Sequence, residues 1–385
     1  MATLGGPLLL LGGARLRLPP EFAPRLTRFL IFALWLEVPV CAAQYARLAE
    51  VQIGDWYTGT WGNANLVGLW AAVALSVCGV RLVTATAIPD RARTWIVAGG
   101  VAAAAAYLVW GASAKLYSAS IFGAAGVVTA MLLLADGGLF RIGTWIRAVI
   151  VILAISWTGL LAESWVRDNF EGFVSNLENS EKRTLLTRVV FGVAERYNSI
   201  LGVGPGMLGS RAASAASGDV LYKETESAFA SLLGPAPKPE GWAMSGLWNA
   251  DVVEDVFYKS ALLTMPFSGW GSLRAELGWP AVILLFFYLL SLGRQMAAIA
   301  ARHSGAWSIG VAAAVGCVGL LPMLFFDNVL EQPHITGPLA ILVITARGVA
   351  GALKGTKASA SDRSTALESS VDHSRPHSSL PRGRP

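Results

Sequence analysis

Residues 279–325 read WPAVILLFFYLLSLGRQMAAIAARHSGAWSIGVAAAVGCVGLLPMLF. Two apolar runs, 279–297 and 307–325, stand on either side of a short link carrying Arg302 and His303. Each run approaches the ~20 mostly apolar residues that a helix needs to cross a bilayer. A tandem of this kind is expected to go in and come back out. Outward from it, runs of similar length occur at 28–45, 64–83, 94–111, 118–135, 145–162 and 337–351. The expected fold is therefore all-α, a polytopic transmembrane helix bundle of about eight spans, with one large extracytoplasmic loop that contains short amphipathic helices.

Composition points the same way. Of 385 residues 54% are hydrophobic and 14% charged, whereas soluble globular chains carry about a quarter charged residues. The surplus apolar surface needs lipid, which excludes an ordinary soluble globule. The 41 glycines and the alanine tracts suit helices that approach one another closely in a bilayer. The 14 tryptophans suit interfacial belts. Cys41, Cys78 and Cys317 all fall in apolar runs, where a thiol acts as a small hydrophobe. They offer neither a disulfide framework nor zinc-ligand spacing.

Charge sets an orientation. With both termini in the cytoplasm, the short inside connections hold Arg15, Arg17, Arg25 and Arg28, then Arg81, Arg91 and Arg93, then Arg141 and Arg147, then Arg294 and Arg302. The short outside connections hold only Arg47 and Lys115, and this Lys/Arg bias is what fixes topology. The net charge of +5 thus marks a cytoplasmic face. It does not mark a nucleic-acid surface, because basic and aromatic residues are not interleaved on a soluble face. The run Leu8–Gly12 is too short for a secretory core, so 1–27 reads as a cytoplasmic N-terminal segment.

The organisation that follows has helices 1–5 in 28–162, the large extracytoplasmic loop in 163–278, helices 6–8 in 279–351 and a disordered cytoplasmic tail in 352–385. In the loop, Leu185, Leu186, Val189, Val190, Val193 and Tyr197 recur at helical spacing behind an Asn179/Ser180 cap. Residues 206–248, with GPAPKPEG at 234–241, have the composition of a mobile stretch. A second amphipathic piece carries Val252, Val253, Val256, Phe257 and Leu262. Glu37, in the middle of the first span, is costly at that depth unless it faces the bundle or a cavity.

Three local patterns occur in order along this topology: TGTWGNANLVG at 58–68, LGVGPG at 201–206 and WGSLRAELGWPAVILL at 270–285. Taken together and in that order they resemble the O-antigen ligase and polysaccharide polymerase family of bacterial membrane glycosyltransferases. The first is similar to the family's Gly-Thr-Phe-Gly-Asn-Pro-Asn motif, with Trp61 for Phe and Ala64 for Pro. The second follows an arginine-bearing amphipathic helix, as in the family's periplasmic loop. The third resembles the segment that closes that loop and enters the next span through an Ala-Glu-x-Gly turn.

The resemblance implies a metal-independent transfer, with no cofactor, of glycan from a polyprenyl-pyrophosphate donor to a sugar hydroxyl outside the bacterial cytoplasmic (inner) membrane. Its partners would be the bilayer, the lipid-linked glycan, a polysaccharide or lipid acceptor and polysaccharide-assembly membrane proteins, with no nucleic acid. Such chemistry needs a groove for the lipid chain, cations for the departing diphosphate and a base for the acceptor proton.

Arginine suits the cationic task, since its planar fork grips phosphate oxygens bidentately and stays charged. Arg183 aligns best with the family's loop arginine, and Arg188, Arg196 and Arg211 stand near it in sequence. The same side chains would equally serve a solvated helix by pairing with Glu181 or Glu195. Gly202, Gly204 and Gly206 would let backbone approach the substrate closely. Asn63 and Asn65 complete the loop contacts, although Asn65 would equally suit capping of the second span. Lys115 would meet phosphate or extend to the interface.

Two departures stand out. The family histidine about ten residues before the glutamate is replaced by Phe267 and Ser268. The base is then open between Glu276 and His334, with Asp251, Glu254 and Asp255 as further carboxylates. Glu276 would otherwise only suit a helix N-terminal dipole, and His334 would be a polar loop residue beside Pro333. Upstream, the family arginine is replaced by Asp55, Trp56 and Tyr57, and one span is found where the family has more. This describes either a short member or a chain preceded by further sequence. A transporter or flippase, or an inactive partner in polysaccharide export, is the alternative, but paired interrupted segments of the kind transporters use are not evident.

Overall fold

In the computed structural model, the residues that can be described are 18–19, 21–48, 64–84, 100, 115–135, 143–146, 148–150, 200, 269–325, 329–331 and 335–352. Among them every regular element is helical. Helix α1 is Phe22–Leu48, α2 is Ala64–Thr84, α3 is Lys115–Ala135, α4 is Gly269–Arg302 and α5 is Trp307–Met323. A last helix, α6, covers Ile335–Ala352. Four helical stretches are long and apolar enough to cross a membrane: Tyr117–Ala135, Leu277–Arg302, Ser304–Met323 and Ile335–Ala352. The described chain is thus a membrane-type helix bundle. Apart from Gly100, the expected span at 94–111 lies outside the described residues, as do most of that at 145–162 and, apart from Ile200 and 269–278, the expected loop at 163–278.

The tandem that opened the sequence reading forms a helical hairpin around α5. Of its 18-residue apolar window 83% is buried, against 28% in that of α4. The composition explains the difference: α5 carries Gly310, Ala312, Ala313, Ala314, Gly316 and Gly319, and small residues let neighbours come close. Helices α3, α4 and α6 close on it with Ile121, Val128, Leu292, Met296, Val343 and Val349, all fully buried. Helix α4, by contrast, exposes Ile283, Leu284 and Phe287, and α1 exposes Phe29, Phe32 and Leu36. Rows of large apolar side chains on peripheral helices are what a lipid-facing surface requires.

Three threonine hydroxyls inside the helices are satisfied locally. The hydroxyls of Thr27, Thr84 and Thr129 donate to the carbonyls of Ala23, Val80 and Ala125 at 2.9, 2.9 and 2.7 Å, the back-bonding that helices in lipid tolerate. Glu37 is 6% exposed, so this mid-helix carboxylate faces protein. Cys317 is buried and Cys78 half-buried, both as free thiols.

The two ends of the bundle differ chemically. At one end Thr27 Oγ1 lies 2.9 Å from Ser308 Oγ and the Arg81 guanidinium sits 5.9 Å from the Trp307 ring centre. The start of α1, the end of α2 and the start of α5 therefore meet, together with Arg25, Arg28 and Arg302. At the opposite end α3 begins: Gly319, near the end of α5, meets Ile121 so closely that a Cβ there would lie 2.7 Å from Ile121 Cδ1.

Candidate functional site

The opposite end is built around the third motif, WGSLRAELGWP. Helix α4 is two helical segments, because Gly278 breaks it with φ 78° and ψ −178°. That combination is essentially restricted to glycine. Pro280 follows inside the second segment; with φ pre-set and no N–H to satisfy, proline suits a helical first turn. In a straight helix Trp270 and Phe286, 16 residues apart in sequence, would be separated by about 24 Å along the axis. Their ring centres are 6.4 Å apart. The 269–277 segment therefore turns back at Gly278 and lies against the start of the following helix.

Trp270 fastens that segment to the end of α5. The last carbonyls of a helix lack regular intrahelical donors, and here those of Leu320, Leu321, Pro322 and Leu324 find one. Leu324 N–H donates to Leu320 O at 3.0 Å and Phe325 N–H to Pro322 O at 3.1 Å. Two of them go to one residue: Trp270 Nε1–H donates to Leu321 O at 2.9 Å and Trp270 N–H to Leu324 O at 3.0 Å. Its indole also meets Phe325 at 6.3 Å, and Phe286 meets Phe287 edge-on at 5.6 Å. These are distances at which aromatic pairs add to plain burial.

On the other side of the break, Trp279 N–H donates to Ile200 O at 3.0 Å. Ile200 is the residue immediately before LGVGPG in the sequence, and LGVGPG itself lies outside the described residues. The Trp279 ring carries the Arg274 guanidinium 4.8 Å from its centre. Arg274 is half-buried and Trp279 exposed. A delocalised cation stacked on indole is held by the ring quadrupole.

Glu276 occupies the last turn before the break, with its side chain outside the described residues. His334 lies outside them too, immediately before α6. Arg183, Arg188, Arg196, Arg211, Gly202, Gly204, Gly206 and Asn63 all lie outside the described residues, as do Asp251, Glu254 and Asp255. Helix α2 begins at Ala64, which puts Asn65 within the first turn rather than in front of it. Lys115 is the first residue of α3. Among the described residues no group of His, Cys, Asp or Glu could hold a metal ion.

The Ala-Glu-x-Gly turn of the third motif is legible in the sequence, whereas the contacts of Arg274, Trp270 and Trp279 are not. The available signal was a lone cation between two tryptophans, WGSLRAELGW, at the start of an apolar run. Comparison with protein-family models, with curated proteins and with solved structures finds no match.

Proposed function

We propose that the protein is an integral membrane glycosyltransferase of the O-antigen ligase or polysaccharide polymerase type, acting on a polyprenyl-pyrophosphate-linked glycan. In this reading the chain has about eight spans with both termini cytoplasmic, and the 163–278 loop is extracytoplasmic in the bacterial inner membrane. Arg183 is the principal diphosphate contact, supported by Arg188, Arg196 and Arg211, and Glu276 and His334 are the candidate bases. The observation that carries the proposal is the order of the three motifs along the chain.

Two structural findings support it. The Trp279–Ile200 hydrogen bond ties the third motif to the residue that precedes the second in the sequence, which supports a common site. The arginine-rich end of the bundle lies opposite Trp270 and Ile200, which agrees with a cytoplasmic assignment for the former under the positive-inside bias. The reaction itself would break the anomeric carbon–oxygen bond to the diphosphate and form one to the acceptor hydroxyl. The acceptor proton passes to the base, and the lipid diphosphate leaves as an anion that arginine stabilises.

The test is deletion of the gene in its host, followed by analysis of surface polysaccharide. Loss of chain elongation or of attachment to lipid, restored by the wild-type gene and not by Arg183→Ala, is the expected result. Unchanged chain length and unchanged attachment would refute the proposal. A reporter active only in the cytoplasm, fused within 206–248, is expected to stay dark; a bright signal would refute the topology on which the mechanism stands.

A further inference from the structure

We infer that Trp270 is a positioning residue for the transfer step: its indole N–H fixes the rotation of the 269–277 segment, and with it the approach of Glu276 to the acceptor hydroxyl. The inference rests on the proposed glycan transfer with Glu276 as base, and Trp270 acts through that base rather than on the reacting atoms. The backbone of Glu276 forms part of the last turn before the break at Gly278. Where the segment sits therefore sets where Glu276 stands.

Three hydrogen bonds fix the segment. Trp270 N–H donates to Leu324 O at 3.0 Å and Trp270 Nε1–H to Leu321 O at 2.9 Å, while beyond the break Trp279 N–H donates to Ile200 O at 3.0 Å. A rigid body held at two points still turns about the line that joins them, and a third point off that line stops it. Without the indole bond the two remaining points lie at the two ends of the segment, so the motion set free is rotation about its long axis. Helix side chains end roughly 5–6 Å from the axis, and a turn of roughly 15° moves such a group by about 1.5 Å. A misplacement of about 1 Å can cost on the order of a hundredfold in rate.

Apolar anchoring alone does not call for an indole. The Trp270 ring lies 6.4 Å from that of Phe286 and 6.3 Å from that of Phe325, contacts that a phenyl ring would also make. What the indole adds is a donor for one of the carbonyls that the end of α5 leaves open.

The test uses the full-length protein in nanodiscs, supplied with the lipid-linked glycan and acceptor that accumulate in membranes of the gene-deleted host, and follows product formation against donor concentration. Trp270→Phe, which keeps an aromatic ring and loses the N–H, is expected to lower kcat on the order of tenfold to a hundredfold, with KM for the donor within about twofold of wild type. Gly310→Ala, whose Cβ meets α4 backbone near the start of α5, lowers stability without touching the segment and is expected to keep kcat within about twofold. Wild-type kcat in Trp270→Phe, or a change in KM alone, would overturn the inference and leave the proposed function standing. An equal fall of kcat in Gly310→Ala would overturn it as well, because the effect would then follow stability. Absence of transfer by the wild-type protein would overturn the proposed function and this inference with it. Should Trp270→Phe fail to fold, a tryptophan analogue with sulfur in place of the indole N–H, incorporated at Trp270, makes the same comparison with the ring outline kept.

Discussion

Replacing Gly278 by alanine puts a methyl group at φ 78°, ψ −178°, and the chain then has two responses. It can keep the bend, at a cost of ~1–3 kcal/mol for a residue held in this glycine-only region. It can instead straighten into one continuous helix. Straightening drives the Pro280 ring against the carbonyl of Glu276, about 3 kcal/mol. It also pulls apart the bonds from Trp279 N–H to Ile200 O, Trp270 N–H to Leu324 O and Trp270 Nε1–H to Leu321 O, at roughly 1 kcal/mol each. Keeping the bend is cheaper by several kcal/mol. The variant is therefore expected to fold with its geometry intact and with stability lowered by about 2 kcal/mol, roughly a thirtyfold rise in the unfolded fraction. Reversible unfolding of the purified protein in mixed detergent micelles measures this directly. Gly126→Ala in α3 is the control, since a Cβ there meets nothing within 4 Å and alanine suits a helix interior better by ~0.5–1 kcal/mol. Equal stability of the two variants would refute the argument that the turn depends on backbone conformation.

Other expectations follow from the same packing. Gly310→Ala should be more destabilising than Gly319→Ala, by about 1–3 kcal/mol, in a thermal or detergent titration. A Cβ on Gly310 meets the Met296 carbonyl at 3.1 Å and the Ala300 nitrogen at 3.2 Å, which are backbone atoms that cannot give way. On Gly319 it meets the Ile121 tip at 2.7 Å, which can rotate aside. Trp270→Phe keeps the aromatic contacts but strips Leu321 O of its 2.9 Å donor; a loss of about 1 kcal/mol is expected, with faster amide exchange over 320–325 measured by mass spectrometry. In the folded protein Cys317, fully buried among α5's neighbours, should resist a water-soluble maleimide and react only after unfolding. Rapid labelling of the native protein would contradict the burial of α5.

Much of the helical framework is legible without coordinates. The apolar runs at 64–83, 118–135 and 337–351 fall within helices Ala64–Thr84, Lys115–Ala135 and Ile335–Ala352, and that at 307–325 overruns helix Trp307–Met323 by two residues, because the demand of a bilayer is local: an uninterrupted stretch must satisfy its own backbone hydrogen bonds. Glu37 was likewise readable as an inward carboxylate from depth alone, and it is buried. The start of α2 was less legible. Asn65 reads as a cap in the sequence but lies in the first turn of the helix, and boundaries of this kind shift by a residue or two.

What the amino-acid order determined by itself is therefore which segments are helical and lipid-compatible, since those properties depend on composition over ~20 successive residues. Tertiary structure alone decided that α5 is the buried helix and α4 the exposed one, although both are apolar. It decided too that the chain reverses at Gly278, that Trp270 caps the end of a helix 51 residues further along, and that Ile200 meets Trp279. Contacts between segments so distant in sequence leave no periodicity to read. They exist only where packing brings an unsatisfied carbonyl within reach of a donor.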